Sequence, residues 1–123
     1  RLIIHKIKLH TTFDDQTPSV LVDGNQIQQV ILNLVNNAVD ALPQGGDIFI
    51  ETRVNHETKS VEIIFEDNGV GIPAENLTRI FEPGKGTGLG LSICKNIISA
   101  HSGKITLESR VGSGTKFEIS LPL

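Results

Sequence analysis

Three short stretches of this 123-residue chain carry side chains whose types and spacing are suited to chemistry. The first is a run of amides. Asn25, Gln26, Gln28, Gln29, Asn33, Asn36 and Asn37 crowd one apolar-periodic segment, although asparagine is a poor helix former. At about 100° of rotation per residue, Gln26, Gln29, Asn33, Asn37 and Asp40 share one stripe bordering the apolar face. Such a stripe is either a solvated polar flank or a partly buried row that needs partners. On the second reading Asn33 and Asn37, one turn apart, aim amide oxygens into a site. An amide oxygen suits a hard cation such as Mg²⁺, which takes few protein ligands and keeps several waters.

The second stretch is Asp67-Asn68-Gly69-Val70-Gly71, directly after a strand-like run. Asn-Gly favours a turn, but a turn alone does not explain a carboxylate at the strand end followed by two glycines. A carboxylate accepts hydrogen bonds and so pairs with an exocyclic amino group such as that of adenine, and glycines let the backbone approach a flat ring closely. The third is Gly84-Lys85-Gly86-Thr87-Gly88-Leu89-Gly90-Leu91, opening a helical pattern. A glycine-rich loop running into a helix N-terminus is an anion-binding arrangement, the alternative being a flexible hinge. It matches neither G-x-x-x-x-G-K-[ST] nor a strict G-x-G-x-x-G. Asp67–Gly71 lacks the alternating oxygen ligands of a calcium loop. The four histidines and Cys94 have no zinc spacing.

These stretches need elements to hold them. Ile7, Leu9, Thr11 and Phe13 alternate with polar residues as a strand, and Ser19–Val22 reads as a second short one. Asp23 with Gln26 predicts a capping box for a helix over Asn25–Leu42, whose apolar residues are Ile27, Val30, Ile31, Leu34, Val35, Ala38, Ala41 and Leu42. Strands are expected over Ile48–Val54 and Val61–Glu66, around a polar turn. A short helix is expected over Pro73–Phe81 with proline first. A second amphipathic helix should bury Leu89, Ile93, Cys94, Ile97 and Ile98 and end at Gly103. A hairpin, Ile105–Ser109 with Lys116–Leu121, closes the chain. The order ββαββααββ predicts an α+β fold, a two-layer α/β sandwich in which about three helices cover one face of a mixed sheet.

Composition narrows the classes. The length suits one domain. No apolar run could span a bilayer, and no signal peptide is visible. One cysteine fits a reducing, cytoplasmic compartment. A net charge of −3, no basic stripe and five aromatics, all Phe, argue against a nucleic-acid partner. Methionine is absent, so the chain is expected to be a fragment, with residues 1–6 ending a linker and 7–123 forming the domain.

Taken in order, the motifs resemble a known family. Asn33-Leu34-Val35-Asn36-Asn37-Ala38 resembles its N box and Asp67–Gly71 its first glycine box. Ile80-Phe81-Glu82-Pro83 resembles the F box, Gly86–Leu91 the second glycine box and Gly112-Ser113-Gly114-Thr115 the last. Together they are similar to the catalytic ATP-binding domain of bacterial sensor histidine kinases, in the GHKL superfamily, from about Ile7 to Leu123.

The resemblance implies that Asn37 binds Mg²⁺ bridging the ATP phosphates, with Asn33 beside it. It implies that Asp67 bonds the adenine amino group, helped by Gly71 and Thr115. Lys85 and the amides of Gly88, Leu89 and Gly90 would hold the phosphates, and Gly69, Gly86 and Thr87 would complete the nucleotide contacts. Ile72 and Phe81 would be pocket wall or lid base, though Phe81 could equally be ordinary core. Asn33, Asn37 and Lys85 would be the catalytic set. The superfamily's ATPases carry a glutamate base where Asn33 stands, so transfer to a protein histidine is favoured over hydrolysis. The alternatives are a GHKL ATPase and a non-catalytic nucleotide-sensing module.

The acceptor histidine would lie in an upstream dimerisation domain outside the fragment. His56-Glu57 only superficially resembles its motif, and His101 reads as a helix-end residue. A response regulator is the implied further partner. The fragment is expected to be monomeric and the full kinase a homodimer, membrane attachment being open. The family's lid of roughly ten or more residues has no counterpart here, since Gly84 follows Pro83 directly; either the lid is deleted or a mobile lid belongs between them, the second being the expectation.

Overall fold

Alternation along the strands decides which residues meet the helices. The computed structural model describes residues 6–13, 23–82 and 90–123. Its elements are β1 (Ile7–Phe13), α1 (Gly24–Asp40), β2 (Gly46–Asn55), β3 (Ser60–Asp67), α2 (Ala74–Leu77), α3 (Leu91–Ala100), β4 (Lys104–Arg110) and β5 (Gly114–Pro122). They form one mixed sheet in the order β1-β2-β3-β5-β4, with β1 parallel to β2 and the other neighbours antiparallel. Contacts of α1 with β3 and α3, and of α3 and α2 with β4, build the second layer. This is the sandwich expected from the element order. The expected strand Ser19–Val22 and residues 1–5 of the linker lie outside the described residues.

The main core joins Val30 and Leu34 of α1, Phe65 of β3, Ile80 of the turn after α2, Leu91, Cys94, Ile97 and Ile98 of α3, and Phe117, Ile119 and Leu121 of β5. A smaller cluster of Ala38, Leu42 and Ile48 closes the β2 end. On the outer face Ile64 is flanked in register by Glu51 and Glu118, and Arg53 donates to Glu62 at 2.8 Å. No helix of the described residues is long and apolar enough to cross a membrane.

Several expectations shift. Asp23 caps α1, its Oδ1 accepting from the N–H groups of Asn25 (3.0 Å) and Gln26 (3.3 Å). The reciprocal half of the capping box is replaced, because the Asp23 N–H donates to His101 Nε2 at 3.0 Å. Pro73 is the N-cap of α2 rather than its first residue, and α2 stops at Leu77 with turns following to Phe81.

The buried face of α3 is Leu91, Cys94, Ile97 and Ile98, while Ile93 is 44% exposed. Two residues past Leu91 is a rotation of about 200°, which turns Ile93 to the far side. Leu89, expected in that stripe, lies outside the described residues. The left-handed position after α3 is Ser102 (φ 61°), not Gly103. Gly103 is required by packing instead, since a Cβ there would collide with the Ser120 carbonyl.

Candidate functional site

The antiparallel register places Asp67 opposite Thr115 and Thr115 opposite Ser109, so the three side chains form a row across β3, β5 and β4. By alternation this row faces the helices, with Phe65 and Phe117 in the next row. Across from it lie Asn37 and Asp40 of α1 and its C-cap Ala41. Between them lies a cavity of about 310 Å³ lined also by Val70, Gly71, Ile72, Ile80, Leu91 and Phe117.

Asp67 is only 6% exposed. Its Oδ1 accepts from the Gly69 N–H at 2.9 Å, and the Thr115 backbone amide also bonds the carboxyl. Burial pushes the carboxyl above its ordinary range, against the opposing pull of those two amides. An acid tied down on one side and starved of water is poised to accept a donor from a ligand.

The loop after Asp67 is braced from both sides. Asn68 Oδ1 accepts from the Asp47 N–H at 2.8 Å, and its Nδ2 donates to Asp47 Oδ2 at 3.1 Å. Asp47 in turn accepts from His10 Nε2 at 2.8 Å, and the His10 ring stacks on Phe49. On the other side the Gly112 N–H donates to the Val70 carbonyl at 3.0 Å, and the Ile72 N–H to Ser109 Oγ at 2.8 Å. Gly71 has φ +78°, and a Cβ there would strike the Arg110 carbonyl, so both backbone conformation and close approach demand glycine.

Of the amide stripe on α1, Gln26, Gln29 and Asp40 are exposed and only Asn33 and Asn37 are half-buried. The two asparagines part company. Asn37 lines the cavity, and its Nδ2 is buried without a hydrogen-bond partner. Asn33 does not line it. Its Nδ2 donates to Cys94 Sγ at 3.7 Å, and it packs beneath Gly90, where an added Cβ would lie 2.6 Å from that nitrogen. Burial pushes the Cys94 thiol up, which makes it a packing group. Gly90, at φ 80°, is the N-cap of α3.

Asn37, Asp67, Gly71, Ile72 and Thr115 therefore meet at one cavity, with Gly69 bonded to Asp67. Phe81 packs against the main core, with Lys95 Nζ 5.7 Å above its ring; its neighbour Ile80 lines the cavity in its place. Lys85, Gly86, Thr87, Gly88 and Leu89, and the expected lid position between Pro83 and Gly84, lie outside the described residues. Sequence reasoning missed Ser109, whose signal was the three-residue loop 111–113. That loop sets Arg110 opposite Gly114 and hence Ser109 opposite Thr115. His56 sits in the β2–β3 turn.

Comparison with known proteins gives the same architecture. Sporulation kinase A of Bacillus subtilis (strain 168) is 39% identical over 124 residues, covering 97% of this chain and 20% of the relative. The catalytic domain of histidine kinase ThkA superposes with a TM-score of 0.83 at 37% identity, covering 94% of this chain and 78% of that one. ThkA in complex with response regulator protein TrrA gives 0.80 at 35% identity, covering 94% and 34%. The chain spans well under half the length of the curated relatives it matches, from 17% to 37% of the first several. Residues 22–123 match the profile of the histidine kinase-, DNA gyrase B-, and HSP90-like ATPases, the stretch that holds every cavity-lining residue above, and the chain belongs to that family.

Proposed function

We propose that this chain is the ATP-binding catalytic domain of a cytoplasmic sensor histidine kinase. It binds ATP with Mg²⁺ and passes the γ-phosphate to a histidine on a separate helical dimerisation domain, from which a response regulator takes it. Asp67, with Gly71 and Thr115 beside it, receives the adenine amino group. Lys85 with the loop into α3 neutralises the phosphates, the phosphates drawing on helix-end amides.

The residues at the cavity fit a magnesium ion shared with substrate. Asn37 lines the cavity, where its amide oxygen suits a cation whose other ligands are phosphate oxygens and water, while its Nδ2, buried without a protein partner, is left to donate to a phosphate oxygen. Bound there, Mg²⁺ would neutralise developing charge during phosphoryl transfer.

The observation that carries transfer rather than hydrolysis is Asn33. One turn before Asn37 stands an amide turned onto Cys94 and Gly90, and an amide cannot take a proton from water. On this reading the chain is a monomer that acts on a partner domain, the homodimer contacts of the whole kinase belonging to that helical domain.

The test is incubation of the chain with radiolabelled ATP, with and without the helical domain of the full-length kinase. Label on the partner's histidine together with negligible phosphate release from the chain alone is expected. Rapid phosphate release by the chain alone would assign it to the hydrolysing branch of the family, and binding without either outcome to a nucleotide sensor.

A further inference from the structure

Ser109 makes three hydrogen bonds with one hydroxyl. Its Oγ donates to the Gly114 carbonyl at 2.9 Å, accepts from the Ile72 N–H at 2.8 Å and lies 2.8 Å from Thr115 Oγ1. A hydroxyl has one proton and two lone pairs. The Gly114 carbonyl can only accept, so it takes the Ser109 proton. The Ile72 N–H can only donate, so it takes one lone pair. The Thr115 hydroxyl must therefore donate to the lone pair that remains. Its own proton is spent, and any bond it makes with a ligand in the cavity it lines is one it accepts.

Asp67 beside it is likewise an acceptor when ionised. The polar wall that receives the base is thus acceptor next to acceptor. It welcomes an edge carrying amino or water protons and repels a ring carbonyl presented at the same place. Without Ser109 the Thr115 proton would be free to turn toward the cavity and meet such a carbonyl.

We infer that Ser109 is a positioning residue for base selection: it fixes the direction of the Thr115 hydroxyl and so makes the site prefer an amino-bearing purine over its oxo counterpart. The inference rests on the nucleotide reading above.

The experiment compares ADP with inosine diphosphate, which carries a ring carbonyl in place of the amino group and a proton on the ring nitrogen next to it. Calorimetric titrations use wild type, Ser109→Ala, Thr115→Val and the double variant. Taking a ratio of the two affinities cancels any general weakening of the fold. Ser109→Ala should lower the ADP preference roughly three- to tenfold, the size of one neutral hydrogen bond. In the Thr115→Val background the same change should leave the ratio where it was. Ser109→Thr, which keeps the hydroxyl, should retain the wild-type ratio. Should Ser109→Ala not fold, Ser109→Cys carries the same expectation with a smaller fall.

An unchanged preference in a folded Ser109→Ala or Ser109→Cys protein overturns the inference. So does an equal fall in the Thr115→Val background, which would mean that Ser109 acts through the Ile72 and Gly114 backbone. Wild type that binds neither nucleotide overturns the nucleotide reading itself and this inference with it, a result distinct from the other two.

Discussion

Asp67 and Thr115 face each other across β3 and β5, and the Thr115 backbone amide bonds the Asp67 carboxyl while burial works against its charge. The site thus keeps an acid where folding alone would prefer a neutral group. An acid whose folded value is raised lowers stability as pH climbs from its ordinary value near ~4 through the raised one. Below that window both states are protonated and nothing is lost. Asp67→Asn removes the cost and can keep the bond from Gly69. Its apo protein should melt on the order of a few degrees higher at pH 7, and the gap from wild type should close as pH falls below ~4. ADP affinity should drop about 10–100-fold, the worth of a hydrogen bond to a charged group. Thermal scans across pH with calorimetric titration check both halves; a lower melting point at pH 7 would contradict the first.

His101 joins the start of α1 to the end of α3. Its Nδ1 meets the Ile97 carbonyl at 2.8 Å and its Nε2 the Asp23 N–H at 3.0 Å. The first partner only accepts and the second only donates, so the ring is neutral with its proton on Nδ1. His101→Ala should destabilise the chain by about 1 kcal/mol, read from denaturant midpoints. Nitrogen chemical shifts should report the Nδ1–H tautomer in the folded protein. An Nε2–H signal there would contradict the bridge.

The Asp47 carboxyl is held below its ordinary range by the hydrogen bonds from His10 and Asn68. The sign is opposite to that of Asp67. A depressed acid contributes stability that is complete above its ordinary value near ~4 and lost as pH falls through the folded one. Asp47→Asn should therefore be less stable than wild type at neutral pH, with a flatter acid limb below pH ~4. Because Asn68 follows Asp67 directly, loosening the bracket should also weaken ADP binding. Parallel acid limbs in the two proteins would show that the bracket does not titrate.

What was legible in the sequence was what local chemistry fixes. A β-branched and aromatic run between polar residues placed β3, and with it Asp67 at the strand's end. The apolar period of α1 set Asn33 and Asn37 one turn apart. What was not legible depended on phase or on distance. Gly90 offers α3 no side-chain cap, so the start of its apolar face has no local marker, and the expected stripe included Ile93 and left out Leu91. Ser109 gains its role only from the β4–β5 register. The bond from Asp23 to His101 spans 78 positions, and no local signal announces it. The division between Asn33 and Asn37 likewise needed α3, because Cys94 and Gly90 claim the first and leave the second at the cavity.

Asn37 holds the last consequence. Its Nδ2 is buried without a partner, and an unpaired buried donor costs about 1–3 kcal/mol. Selection for folding alone would not keep an amide there, because leucine has similar bulk and no polar group to strand. Asn37→Leu should therefore raise the stability of the apo chain by about 1 kcal/mol, while nucleotide binding becomes indifferent to Mg²⁺. The two effects separate the reading from its rival. An amide retained for structure would make Asn37→Leu less stable than wild type. An amide retained for the nucleotide, its Oδ1 for the cation and its Nδ2 for a phosphate oxygen, gives on substitution a firmer fold in which ADP affinity is the same with and without magnesium.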